Sequence, residues 1–217
     1  VSGYDDRWRD WSAEGRRRAR EAREEFLQKA LYLEPGNLSP EHLFQCYLLE
    51  YDLRAWLAAE PYLTALEPVS PLTGMHNAVF TVIDQMPARS RADYERRLAR
   101  LAALPAYVDQ HLALMREQLN GGLTQPAVVI DLVLAQVRAQ AALTPDESPL
   151  LAAFRAFPDA VPPAERSELE QRARSLYDSA FVPSWRRLAE FLDTTYRSGA
   201  RPTDGIGGHP KGRDAYS

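Results

Sequence analysis

Pro163-Ala164-Glu165-Arg166-Ser167-Glu168-Leu169-Glu170-Gln171-Arg172-Ala173-Arg174-Ser175-Leu176-Tyr177-Asp178-Ser179-Ala180-Phe181-Val182-Pro183-Ser184-Trp185-Arg186-Arg187-Leu188-Ala189-Glu190-Phe191-Leu192-Asp193-Thr194-Thr195-Tyr196 is the stretch whose reading decides the fold. Its apolar residues Leu169, Ala173, Leu176, Tyr177 and Ala180 recur at the spacing of one helical face. The pattern resumes at Trp185, Leu188, Phe191 and Leu192. A continuous helix of this length would span roughly 50 Å. Pro183 lacks an N–H, so it is expected to kink this helix or split it in two. From Arg197 the sequence turns rich in glycine and proline, through Gly199, Pro202, Gly205, Gly207, Gly208, Pro210 and Gly212 to Ser217, where a regular helix cannot continue.

Upstream, nearly every segment reads as a helix with its punctuation. Residues 12–33 carry Phe26, Ala30 and Leu33 on an apolar stripe, and Pro35-Gly36-Asn37 ends it. Ser39 and Pro40 supply an N-cap and a first-turn proline. The helix they start runs to about Glu60 and is expected to bury Leu43, Phe44, Tyr47, Leu48, Tyr51 and Trp56, with Pro61, Pro68 and Pro71 keeping the next stretch irregular. Gly74 to Met86 is a short apolar helix closed by Pro87. Ser90 and Asp93 are spaced as a capping box for a helix that carries Tyr94, Leu98 and Leu101. Pro105 opens the next, which Asn120-Gly121-Gly122 terminates. Thr124 and Pro126 introduce a helix from Ala127 to about Leu143, and Pro145 and Pro149 bracket a turn into a short helix ending near Phe157. The wide apolar stripes of 74–86 and 127–143 call for partners on more than one side. No strand pattern, hairpin dipeptide or fixed-period repeat is found, so the class is all-α, a multi-helix array with a long C-terminal helix.

With 217 residues, 45% of them apolar, the chain can build one sizeable core. A net charge of −4 argues against nucleic acid as a partner. The basic run Arg16-Arg17-Arg18-Ala19-Arg20 is followed by Glu21, Glu24 and Glu25, and pairing at i,i+4 makes it a solvated helix face. A single cysteine, Cys46, precludes an internal disulfide framework. No apolar run is long enough for a transmembrane segment. No signal peptide heads the sequence, and location is left open between the cytoplasm and export after cleavage of a leader. The chain opens on Val1 rather than Met and stops after its glycine-rich stretch, so it is expected to be a piece of a larger protein.

The chemistry-bearing residues are scattered. The four histidines, His42, His76, His111 and His209, form no H-E-x-x-H pair. His42, Cys46 and Glu50 share one helix face but lack the further ligands of a mononuclear zinc site, so they read as an ordinary packed helix with a buried cysteine. There is no G-x-S-x-G, and Gly205-Ile206-Gly207-Gly208 lacks the strand and helix of a phosphate loop. Asp131 is assigned to the wet side of its helix. Met75-His76-Asn77 follows a break and either lines a cleft or, through Asn77, caps the helix.

Three motifs carry a resemblance. Gly3-Tyr4-Asp5-Asp6-Arg7-Trp8 with Asp10-Trp11-Ser12 is similar to an entry pattern G-x-x-D-x-(L/W)-x-D-x-S. Tyr94, Arg97-Leu98, Leu101 and Leu104-Pro105 fit Y-x-x-R-L-x-x-L-x-x-L-P, and Gly205, Pro210, Gly212 and Tyr216 fit G-x-x-x-x-P-x-G-x-x-x-Y. With Tyr51-Asp52-Leu53 and Pro68 to Gly74, they resemble the bacterial domain-of-unknown-function 885 family. That largely helical group resembles thermostable carboxypeptidases and other gluzincin-type zinc metallopeptidases. The resemblance implies that residues 1–198 form the helical N-terminal portion of a larger domain, one wall of a cleft for a peptide or peptide-like substrate. It implies that residues 199–217 form a loop leading into a C-terminal part, with Gly205, Gly212 and Tyr216 near the substrate. Its zinc motif, H-E-x-x-P-G-H, lies downstream of Ser217, so zinc is expected in the intact family protein, while this chain carries no catalytic or metal-binding residue. The alternative is a non-catalytic helical module that binds protein or peptide segments.

Overall fold

The computed structural model describes residues 5–33, 35–63, 68–205 and 208. Among the described residues are eight α-helices, in order α1 (Ala13–Leu31), α2 (Pro40–Leu63), α3 (Met75–Gln85), α4 (Arg91–Ala102), α5 (Leu104–Asn120), α6 (Ala127–Ala142), α7 (Pro163–Leu176) and α8 (Val182–Phe191). Short 3-10 turns occupy Pro35–Asn37, Pro149–Arg155 and Arg197–Gly199. The all-α reading holds: among the described residues the only β-type pairing is an isolated parallel bridge between Pro126 and Arg201.

Local chemistry explains the boundaries. Ser90 Oγ accepts from Asp93 N, and the Asp93 carboxylate accepts from Ser90 N at 3.0 Å, completing the capping box of α4. Beyond α5, Gly122 takes φ 67°, a left-handed backbone that disfavours a side chain. At Gly74, which caps α3, a Cβ would lie 2.5 Å from Ser70 O and 2.8 Å from Ser70 N. Gly74→Ala must therefore push the 70–74 turn off α3, and we expect a loss of about 1–3 kcal/mol of stability in urea titration. An unchanged midpoint would refute that contact.

The C-terminal helix is continuous but not uniform. Tyr177–Phe181 forms a π turn between α7 and α8, and Leu192–Tyr196 forms a second after α8. Of the kink or split expected at Pro183, the split does not occur: the first π turn carries the helix past the proline. An α-helix needs an N–H at residue 183 to reach Ser179 O, and proline has none. The π turn instead sends Val182 N–H to Tyr177 O, and the helix continues with Pro183 in the first turn of α8. Helix α2 likewise runs through Pro61 to Leu63.

The core is assembled around this last helix. Its α7 half packs on α4 and on the 3-10 turn Pro149–Arg155, while α8 packs on α5 and α6. Trp185, Phe181, Tyr177 and Tyr196 are fully buried, with Phe181 centred 4.4 Å from Trp185 and stacked on Tyr177 at 4.8 Å. The hydroxyls of two buried tyrosines have partners: Tyr177 Oη donates to Leu143 O at 2.8 Å and Tyr94 Oη to Ala153 O at 3.1 Å. Helix α3 buries Met75, His76, Val79 and Ile83, whereas α6 buries Ile130, Val133, Leu134 and Val137 but leaves Val128 and Leu132 exposed.

Helices α1 and α2 pack on each other as a hairpin. Along α1, Arg17 pairs with Glu21 at 2.5 Å and Arg20 with Glu24 at 2.9 Å, the solvated face its charge pattern describes. The expectation that α2 buries its aromatic residues is overturned. Phe44, Tyr47, Leu48 and Tyr51 are exposed, whereas Leu43, Cys46, Leu53 and Trp56 on the other side of the helix are half-buried, with Arg23 of α1 over the Trp56 ring. Helix α2 is apolar on two opposite sides, and α1 covers only one.

Candidate functional site

The hairpin joins the body through the segment just before it. Trp8 Nε1 donates to Arg100 O at 2.9 Å and Trp11 N to the Gln110 side-chain carbonyl at 2.8 Å. Arg16 donates to Trp11 O and pairs with Glu117. Rings and cations then alternate: Arg100 over Trp8, Trp8 against Tyr107 at 4.8 Å, Tyr107 against His111 at 4.3 Å, His111 against Trp11 at 5.3 Å, and Arg9 4.0 Å above Trp11. Arg23 lies 3.4 Å over Trp56, which carries the series onto α2.

Beside this stack opens a cleft of about 230 Å³ lined by Trp11, Thr73, Met75, Ala78, Tyr107 and His111. A hollow of about 440 Å³ between α4 and α7 is larger, but there Arg172 and Glu95 satisfy each other at 2.7 and 2.8 Å. The smaller cleft is the better site, since aromatic and imidazole groups converge on it from two segments, Trp11 from one and Tyr107 and His111 from α5, with Thr73, Met75 and Ala78 completing the lining. His111 is almost fully buried, and its Nδ1–H donates to Tyr107 O at 2.8 Å, which leaves Nε2 with the lone pair. Burial lowers the His111 pKa to about 4, the hydrogen bond to Tyr107 O opposes that shift and the nearby Arg9 charge adds to it, so the ring is neutral at pH 7.

Behind the cleft wall runs a polar chain. His76 Nε2 donates to Gln136 Oε1 at 2.8 Å, and Gln136 Nε2 to Pro71 O at 3.1 Å. Asn77 Nδ2 also donates to Pro71 O, Gln140 Nε2 donates to Asn77 Oδ1, and Trp185 Nε1 donates to Gln140 Oε1 at 2.8 Å. Of Met75-His76-Asn77, only Met75 reaches the cleft; His76 is buried behind it, and Asn77 ties α3 to the preceding turn. Burial also lowers the His76 pKa, and its Nδ1 has no hydrogen-bond partner among the described residues.

Gly205 is exposed and its carbonyl accepts from Arg201 at 2.6 Å; Gly212 and Tyr216 lie outside the described residues. Before Gly205, Arg201 N donates to Gln125 O and Ala127 N to Arg201 O, so residues 199–201 lie along the loop that starts α6. Asp131 is on the wet side as expected, paired with Arg197 at 3.0 Å. His42 is exposed against Ser39 Oγ, Cys46 is half-buried, and Glu50 is taken by Arg54. Gln136 and Gln140, one turn apart on α6, had no signal in the sequence, because their partners come from other helices.

The fold and this cleft define an all-α protein whose two-helix arm is clamped to a helical body by an aromatic–arginine stack. The sequence matches the family described as "Bacterial protein of unknown function (DUF885)" over residues 1–217, and the chain belongs to that family. No curated protein matches it. Among solved structures it is similar to "the putative lipoprotein from Colwellia psychrerythraea", with a TM-score of 0.82 and 14% identity. The match covers 94% of this chain and 37% of that one, so the chain spans little more than a third of that protein's length.

Proposed function

We propose that this chain is the helical N-terminal portion of a zinc-dependent metallopeptidase, supplying one wall of a cleft for peptide or peptide-like substrates and no catalytic group of its own. The observation that carries the reading is the His111 cleft, whose neutral imidazole, two aromatic rings and thioether suit an apolar side chain. The length of the Colwellia protein supports it, since the match leaves most of that chain for a further part. Residues 1–198 then act as the helical wall, and residues 199–217 as the loop that leads onward, with Gly205, Gly212 and Tyr216 close to the substrate.

Zinc does not fit the described residues. No group of three His, Cys, Asp or Glu among them is placed to hold a metal ion. The purified 217-residue chain is expected to bind no stoichiometric zinc by atomic absorption, and tight zinc lost on His42→Ala or Cys46→Ala would overturn that expectation. For the activity, a full-length family member carrying these residues is assayed for zinc and for peptide hydrolysis, with Tyr216→Phe as the probe of the loop. Metal-dependent hydrolysis supports the peptidase reading, and a changed turnover or affinity in the variant supports the loop's place at the substrate. A full-length protein that holds no zinc and cleaves no peptide leaves the binding-module reading in its place.

A further inference from the structure

The cleft beside the aromatic stack holds a hydrogen-bond acceptor that the protein itself does not use. His111 Nδ1–H is engaged by Tyr107 O one turn back in α5, so Nε2 lies across the ring with its lone pair open. Among the described residues Nε2 has no hydrogen-bond partner. Nor is it sealed in the core: the buried side-chain polar atoms left without a partner are His76 Nδ1, Ser184 Oγ and Arg201 Nε. Tyr107 at 4.3 Å and Trp11 at 5.3 Å enclose the ring, which is only 2% exposed. The opening beside it is the cleft, and there the lone pair is accessible. The exposed Thr73 gives its hydroxyl proton to Ser70 Oγ at 3.2 Å, so it too is left as an acceptor.

We propose that the cleft receives an aromatic ring that carries its own hydrogen-bond donor, the side-chain chemistry of tyrosine or tryptophan, with His111 Nε2 as the accepting atom. This rests on the reading of the cleft as a site for a substrate side chain, and it narrows which side chain. Size permits it. The cleft measures about 230 Å³, and roughly 150 Å³ is enough to hold benzene, so a ring fits together with a substituent or a second fused ring. The walls favour it, because the rings of Trp11 and Tyr107 and the thioether of Met75 make directional contacts with an aromatic occupant that an aliphatic one lacks. The acceptor then decides between rings. A phenyl or alkyl group would strip Nε2 of water and offer nothing in return, whereas a phenol O–H or an indole N–H replaces the lost hydrogen bond. Cationic donors are disfavoured by charge: Arg9 lies 4.0 Å over Trp11, and its field already reaches His111.

The test is an NMR titration of the 217-residue chain, followed at the indole N–H of Trp11 and at His111 Nε2. Each donor-bearing probe is paired with a donor-free counterpart: p-cresol with toluene, and skatole with N-methylskatole. A purely apolar cleft ranks toluene above p-cresol, because the phenol gives up its hydrogen bonds to water on entering. The expected result is the reverse, with the donor probe about tenfold tighter than its counterpart in the pair whose ring fits. Which pair shows the preference tells a tyrosine site from a tryptophan site. The His111 Nε2 resonance should move far more with the donor probe than with its counterpart. His111→Phe keeps an aromatic ring and removes the acceptor, so it should abolish the preference; if that variant does not fold, the ranking on the parent chain decides alone. Probes that bind beside Trp11 with neither donor preferred keep the cleft as an apolar side-chain site and overturn the proposal. Binding of none of the four overturns the reading of the cleft itself, and the proposal with it.

Discussion

Trp185→Ala is expected to lower the unfolding free energy by about 3–5 kcal/mol, among the largest effects available to a single substitution in this fold. Trp185 has no exposed surface; it packs on Phe181 of its own helix at 4.4 Å and ties that helix to α3 through Phe80 at 6.4 Å and to α6 through Nε1, which donates to the side-chain carbonyl of Gln140 at 2.8 Å. Truncation opens a cavity in a layer whose neighbours are themselves pinned, so collapse into it is restricted. It also removes the only donor to Gln140 Oε1 that the described residues show, at one end of the polar chain leading to His76. Trp185→Phe separates the two contributions, because it keeps most of the volume and drops the N–H, and it should cost about 1–3 kcal/mol. Urea titrations of the three proteins measure both steps. Equal midpoints for Trp185→Phe and Trp185→Ala would mean that the hydrogen bond, not the packing, holds this layer.

The elements legible in the sequence are those whose cause is local. The capping box of Ser90 and Asp93, the Gly121-Gly122 terminator and the 3.6-residue stripe of Leu169 to Leu192 depend on neighbours within a turn or two, and each stands as read. Helix α2 marks the boundary of that method. It is apolar toward α1 at Leu43, Cys46 and Leu53 and apolar away from α1 at Phe44, Leu48 and Tyr51; periodicity reports both faces and says nothing about which finds a partner. Pro183 shows a second boundary: a missing N–H is evident in the sequence, but the choice between a break and a π turn is made by the packing of Tyr177, Phe181 and Trp185 on either side of it. The cleft was harder still. Trp11, Thr73, Tyr107 and His111 belong to three segments far apart in sequence, and His111 was visible only as one of four scattered histidines. The loop singled out at Gly205, Gly212 and Tyr216 rested on resemblance rather than chemistry, and only Gly205 is among the described residues, its carbonyl engaged by Arg201.

His111 should also make the fold acid-sensitive well above the range where carboxylates titrate. Its pKa is lowered by burial from 6.5 to about 4, opposed by the hydrogen bond to Tyr107 O and reinforced by the Arg9 charge, so the folded state holds the ring neutral. The unfolded chain takes up a proton near pH 6.5 that the folded chain refuses until about pH 4. Stability is therefore complete above pH 6.5 and falls as pH drops through the window from 6.5 to 4, by about 1.4 kcal/mol per unit and about 3 kcal/mol in all. His76, shifted down by its own burial, acts in the same direction. Asp93 and Glu95 are held below their ordinary values by arginine and hydrogen-bond partners, and they add their losses only at lower pH. His111→Gln keeps a side chain able to donate to Tyr107 O and removes the titration. Between pH 7 and pH 4.5 the parent protein should lose about 2–3 kcal/mol more than this variant in urea unfolding. Profiles that run parallel would show that His111 is protonated in the folded state, and that water reaches the floor of the cleft.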